Sequence, residues 1–264
     1  MCGVAGYSLT TSSALDRTLA AQALLAGIAE RGADAVGYAH RTPGAAVSIH
    51  KQRSGASALL DEIAVPQTAT EVLIHVRDYT KGLPTIPANN HPIRHGAVVG
   101  IHNGIIFNDD ELLEAHDCAR REPGMEVDSE AIFAVAAHSG GDAGALEALR
   151  GSMATAWIDE RREQSVMIAR GVGRPLWLGA GEAGMFFAST KVALEVVERY
   201  LDVKLKKREL EEGTLVELER GHERACARFT PNREFEETPL PAVRAPNEAA
   251  FCLKRLAMLV AAAH

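Results

Sequence analysis

Cys2 stands directly behind the leading methionine in the opening stretch MCGVAGYSLT. If Met1 is removed, which a small second residue permits, a single Cα carries both a thiol and an α-amine. Their reference pKa values, about 8.5 and about 7.7–8.0, are close enough for the amine to take the thiol proton and later return it. Such a residue is a nucleophile with its own base. Taken alone, Cys2 reads equally well as a small buried residue near a chain start.

Other residues offer competing chemistry. A cysteine protease-like pair of Cys2 with His75 or His102 is open by spacing, but the sequence context such a cysteine usually has is missing. The run His91-Pro92-Ile93-Arg94-His95 invites a metal reading. Pro92 breaks the helix that would put two histidines on one face, and no H-E-x-x-H accompanies it, so no metal site is expected. The glycines of RGVGRPLWLGAGEAG (170–184) lack the lysine and hydroxyl residue of a phosphate loop, and they read as turns; no cofactor is expected.

The elements that must position these groups come in clusters. Residues 3–9 read as a buried first strand. A capping signal at 13–16 opens a helix that should stop near Gly32, read as a left-handed terminator. Strand-like runs follow at 36–40, 45–50, 71–76 and 97–102, then helices from Asp109 to His116 and Asp128 to His138. The second half gives strands at 153–159, 165–169, 175–179, 185–189 and 214–218, with a helix from Thr190 to Tyr200. Clustered strands with helices between the clusters favour layered α+β over a doubly wound parallel sheet. Residues 230–247, rich in proline and charge, read as a connector or surface strap, followed by a terminal helix at 248–262.

Bulk properties narrow the class. The 264 residues are 47% hydrophobic and 24% charged, enough for a sizeable core. The net charge of -7, with both signs interspersed, excludes the basic footprint of a nucleic-acid binder. Four scattered cysteines, none in a C-x-x-C pair, argue against a disulfide framework and for a reducing compartment. The apolar stretch AAFCLKRLAMLVAAA is broken by Lys254 and Arg255 and is too short to span a bilayer. No secretory signal is visible, so a cytoplasmic protein without membrane partners is expected.

Behind Cys2-Gly3, five motifs follow in order: RGADAVG (31–37), HVRDYTKG (75–82), NNHP (89–92), HNGIIFND (102–109) and VDSE (127–130). Together they resemble the glutaminase domain of class II glutamine amidotransferases, the cysteine branch of the N-terminal-nucleophile hydrolases. LRGSMATAWID (149–159) and GRPLWLGAG (173–181) are similar to that family's second half, and the resemblance covers roughly residues 2–220. It implies a four-layer αββα sandwich, with a type-2 amidotransferase domain at 2–229 and a connector plus C-terminal helix at 230–264.

The resemblance also implies roles. Cys2 would attack the side-chain amide of L-glutamine, and Asn103 and Gly104 would hold the oxyanion, although Asn-Gly is equally a hairpin-turn signal. Arg77 would bind the substrate carboxylate, Asp128 its ammonium, and Thr80 would line the pocket. Asp128 reads just as well as a helix N-cap. Arg31 and Asp34 would hold loops around the nucleophile. Two positions depart from the family pattern: Asp78 replaces a usual tryptophan and Lys81 a usual histidine. An added carboxylate beside Arg77 is expected to compete with substrate.

The expected function is the glutaminase component of an amidotransferase that passes ammonia to a separate synthase subunit. A stand-alone amidohydrolase acting on glutamine or γ-glutamyl amides is one alternative, and a catalytically silent glutamine-binding module is another. The terminal helix, through Leu253, Leu256 and Val260, would dock either on a partner or on its own domain.

Overall fold

The computed structural model describes residues 1–238 and 240–263. The chain begins with β1 (Gly3–Leu9), α1 (Arg17–Ile28), β2 (Ala35–Arg41), β3 (Ser48–Gln52), α2 (Ala56–Leu59) and β4 (Glu71–Arg77). It continues through β5 (Ile93–His95), β6 (Val98–Ile106), α3 (Asp109–Ala115), α4 (Ser129–Ser139), β7 (Gly151–Asp159) and β8 (Ser165–Arg170). The last part comprises β9 (Trp177–Gly181), β10 (Gly184–Ala188), α5 (Lys191–Leu201), β11 (Lys206–Glu209), β12 (Thr214–Glu219), β13 (His222–Arg228) and α6 (Pro246–Ala263).

The strands form two sheets, one of seven strands ordered β11-β9-β10-β1-β4-β2-β3 and one of six ordered β13-β12-β8-β7-β6-β5. Pairing between strands of each sheet is antiparallel. Three apolar cores separate four layers. The first joins α1, α5 and α6 to the seven-stranded sheet, and the second fills the space between the sheets. The third joins the six-stranded sheet to α3 and α4. This is a four-layer αββα sandwich, the layering that the resemblance implies.

Strand alternation decides which side chains reach the space between the sheets. Along β1, Ala5, Tyr7 and Leu9 face the helices, whereas Val4 faces the second sheet. Cys2 therefore falls on the inter-sheet side. Along β4, Val72, Ile74 and Val76 face the helices and Leu73 the inter-sheet core, which carries His75 and Arg77 inward. Val99 and Ile101 of β6 lie in the same core, so Asn103 shares that side.

Several local expectations change. Gly32 has φ -177°, extended rather than left-handed. Its lack of a side chain is explained by a Cβ that would stand 2.3 Å from the Arg77 carbonyl oxygen. The helix before it is capped by the Asp16 carboxylate, which accepts the Leu19 N–H at 2.9 Å. The strand expected at 97–102 runs on to Ile106, so Asn103-Gly104 lies within β6 and is no hairpin turn. The strand expected at 45–50 is shifted to Ser48–Gln52. α2, β5, β11 and β13 had no clear sequence signal; β13 is exposed along its whole length and shows no alternation.

The C-terminal segment folds back on the first layer. Cys252 and Leu256 are fully buried against α1, with Leu253 packed beside them. The terminal helix thus packs on its own domain, while Phe251 and Met258 stay exposed.

Candidate active site

Cys2 lies just ahead of β1, and Arg77 closes the neighbouring β4, where Gly3 pairs with Val76. A small cavity of about 10 Å³ is lined by Cys2, Arg77, Thr80, Gly104 and Asp128, among others. That is room for about one water, far less than an amino acid needs. A larger surface cavity of about 640 Å³ lies at the far end of β1, lined by Thr10, Ser13, Glu182 and Lys204 among others. Neither cysteine nor histidine lines it, so the chemistry belongs to the small one.

Cys2 is held from two sides. Arg31 Nε donates to the Cys2 carbonyl at 2.8 Å, and Cys2 Sγ donates to the Asp78 carbonyl at 3.4 Å. Burial pushes the thiol pKa up, so Cys2 rests as the neutral thiol and needs a base at the moment of attack. Among the described residues no histidine is hydrogen-bonded to it. His75 Nε2 donates to the His102 carbonyl (2.9 Å), and His102 contacts Ser129 Oγ (2.9 Å) and the Ser152 carbonyl (3.2 Å). Burial pushes both imidazole pKa values down to about 3, which makes them poor proton acceptors. The histidines of the 91–95 run part company: His91 stacks on His75 at 4.1 Å, whereas His95 meets Glu130 at 3.1 Å.

Gly104 has φ 147°, and a Cβ there would stand 1.9 Å from the Ser152 carbonyl oxygen. Only glycine fits this backbone. Asn103 is 1% exposed, and its amide nitrogen and oxygen lack partners among the described residues. Leaving such an amide unpaired costs roughly 1–3 kcal/mol, the mark of a group kept for a ligand or water. Asn103 does not line the small cavity itself.

Asp128 precedes α4 but caps nothing: its backbone is helical and its side chain makes no capping bond. The carboxylate instead accepts the Ile106 N–H at 2.7 Å. Burial pushes its pKa up to about 6, with the Ile106 N–H pulling the other way. A buried carboxylate without a cation is a natural seat for an ammonium group.

Arg77 is buried and largely engaged. Nη1 donates to Asn90 Oδ1 at 2.5 Å, and Nη2 donates to the carbonyls of Lys81 and Gly82 at 2.9 and 2.5 Å. Of five N–H donors, Nε and one Nη1 hydrogen remain for a ligand. The fork is therefore partly spent on holding the 78–82 loop. Asn90 and Asn89 were not singled out by sequence; Asn89 accepts the Glu126 and Val127 N–H groups beside Asp128. Both sit in the NNHP motif, which was the available signal.

A glutamine amidotransferase domain model matches residues 83–196. The chain is 33% identical over 205 residues to the glutamine–fructose-6-phosphate aminotransferase (isomerizing) of Thermus thermophilus, covering 74% of this chain and 32% of that protein. It is 30% identical over 235 residues to the enzyme of the same name from Gluconobacter oxydans, covering 84% and 36%. It spans about a third of the length of these relatives. The fold matches glutamine phosphoribosylpyrophosphate amidotransferase from B. subtilis with TM-score 0.64 at 16% identity, covering 86% of this chain and 49% of that one. A structure described as the allosteric regulatory enzyme of purine biosynthesis gives TM-score 0.68 at 20% identity, covering 88% and 50%. The chain contains a class II glutamine amidotransferase domain.

Within this amidotransferase domain the two departures from the family pattern have defined partners. Lys81 Nζ contacts both Asp109 oxygens at 2.7 Å. The Asp78 carboxylate turns away from Arg77: it pairs with the Met1 ammonium and with Arg244 Nε, at 3.1 Å to its nearer oxygen. It does not pair with Arg77. Asp34 accepts the Tyr79 N–H at 2.9 Å, so Arg31 and Asp34 both hold backbone beside the nucleophile. Among the described residues no helix is long and apolar enough to cross a membrane, and no cluster of three or more metal-ligating side chains occurs.

Proposed function

We propose that this domain hydrolyses the side-chain amide of L-glutamine through a thioester on Cys2, and that it delivers ammonia to a synthase on a separate chain. The observation that carries the reading is the convergence of Cys2, Arg77, Gly104 and Asp128 on one small cavity. After removal of Met1, the Cys2 α-amine takes the thiol proton as sulfur attacks the amide carbon. The Gly104 N–H and the unpaired Asn103 amide receive the oxyanion, a contribution of about 10²–10³ per donor. The amine returns its proton to the leaving nitrogen, ammonia departs, and water cleaves the thioester to glutamate.

Arg77 and Asp128 hold the two charged groups of the amino acid, and Thr80 adds a hydroxyl at the same wall. Entry of glutamine requires the 78–82 loop to move, because the resting cavity is too small. A cytoplasmic setting fits the four free cysteines.

The test combines intact-mass analysis with a glutaminase assay on wild type and Cys2→Ala. Turnover by Met1-free protein, abolished in Cys2→Ala, supports the reading. Turnover by protein that retains Met1 overturns the amine mechanism, and saturable glutamine binding without turnover shows a silent module.

A further inference from the structure

Asp78 is the group at the site that the mechanism above leaves unused. Its backbone carbonyl accepts from Cys2 Sγ, and its carboxylate pairs with the Met1 ammonium. The same carboxylate receives Arg244 Nε at 3.1 and 3.3 Å. Arg244 is itself fixed through its backbone: the N–H groups of Arg244 and Ala245 both donate to the Glu30 carbonyl at 2.8 Å. Glu30 adjoins Arg31, which holds the Cys2 carbonyl. The C-terminal strap thus reaches the nucleophile through a single carboxylate.

Removing Met1 transfers the terminal ammonium to Cys2. The Met1 and Cys2 nitrogens are three covalent bonds apart, so they lie within about 4 Å of each other. A carboxylate in contact with the first is then within roughly 6 Å of the second, a range in which an opposite charge stabilises the charged form.

We propose that the Asp78–Arg244 pair positions the α-amine of mature Cys2 and sets the pH at which that amine can act as a base. The proposal rests on the reading of Cys2 as a terminal nucleophile. Asp78 alone would keep the amine protonated and idle at neutral pH. Arg244 shares the carboxylate and weakens that hold. Other charged or titratable groups face this end of the site, Tyr79 among them. Arg31 and Arg77 donate to backbone, Asp34 accepts the Tyr79 N–H, and Lys81 pairs with Asp109. Asp128, His91 and His102 line the cavity.

The test uses Met1-free protein, verified by intact mass, as wild type, Asp78→Asn, Arg244→Gln and Arg244→Lys. Two quantities are followed against pH: kcat/KM for glutamine hydrolysis, and the Cys2 ¹³Cα chemical shift in cysteine-labelled protein. Asp78→Asn is expected to move the amine titration down by about one pH unit. Arg244→Gln is expected to move it up, and Arg244→Lys to keep it near wild type. Opposite shifts from two members of one pair are not what loss of packing produces. A titration that stays in place in both variants, or moves the same way in both, overturns the proposal. Arg244 is half-exposed, so Arg244→Gln still decides the matter if Asp78→Asn does not fold. A wild type without turnover would count against the proposed activity alone, because the chemical-shift titration still reads the amine.

Discussion

Replacing Asp128 by asparagine separates what this residue does for folding from what it does for substrate. Its carboxyl pKa rises from 3.8 to about 6 on folding, a difference worth about 3 kcal/mol. The sign follows from linkage. A raised acid pKa means that the native state holds its proton more tightly than the unfolded chain, so stability is lost as pH rises from about 4 to about 6. Above that window the full cost is carried. Asparagine keeps an oxygen for the Ile106 N–H but has no charge to bury. Asp128→Asn is therefore expected to be more stable than wild type by up to about 3 kcal/mol above pH 7, with the difference closing towards pH 4. The same variant loses the partner of the substrate ammonium, which costs about 2–5 kcal/mol in a buried pair, or at least about 30-fold in kcat/KM. Urea denaturation across pH 4–8, paired with a coupled glutamate assay, measures both. A variant no more stable than wild type at pH 7.5, or one with full activity, would refute the reasoning.

Wild-type kcat/KM is expected to fall about tenfold per pH unit below pH 6, as free Asp128 takes up its proton; a pH–rate profile shows it. Gly104→Ala forces a Cβ against the Ser152 carbonyl in a backbone of positive φ, so kcat should drop at least about 10²-fold and thermal melting should shift downward. Arg77→Lys removes the fork that holds Asn90 and the 81–82 carbonyls. It should raise KM for glutamine at least about tenfold and speed proteolytic cleavage near residue 80, both directly measurable. Leu256→Ala empties a fully buried position under α6 and should cost about 2–5 kcal/mol in denaturation, with kcat/KM unchanged well below the melting temperature.

Much of the framework is legible because its strands alternate or run apolar. Residues 3–9 and 71–76 declare themselves as strands, and the structure brings Cys2, Arg77, Gly104 and Asp128 of the quoted motifs to one cavity. What sequence hides is long-range. The capping signal at Asp128 is real as composition, yet the carboxylate is drawn instead to the Ile106 N–H. Gly32 looks like a helix terminator, but it is required by the Arg77 carbonyl of another strand. β13, with every residue exposed, has no buried face to impose a period of two. The Asp78–Arg244 pair joins residues far apart in the chain, and no local pattern announces it.

The placement of β1 has a consequence for timing. The strand lies in the middle of its sheet, between β4 and β10, so its neighbours are residues 71–76 and 184–188. Contacts of such sequence separation form late. On the proposed reading of Cys2, the attacking residue finds its surroundings late. Once folded, Met1 is largely covered and tied to Asp78. On that same reading, an aminopeptidase reaches Met1 more easily before the sheet closes than after, and the order of trimming and closure becomes part of how the site is switched on.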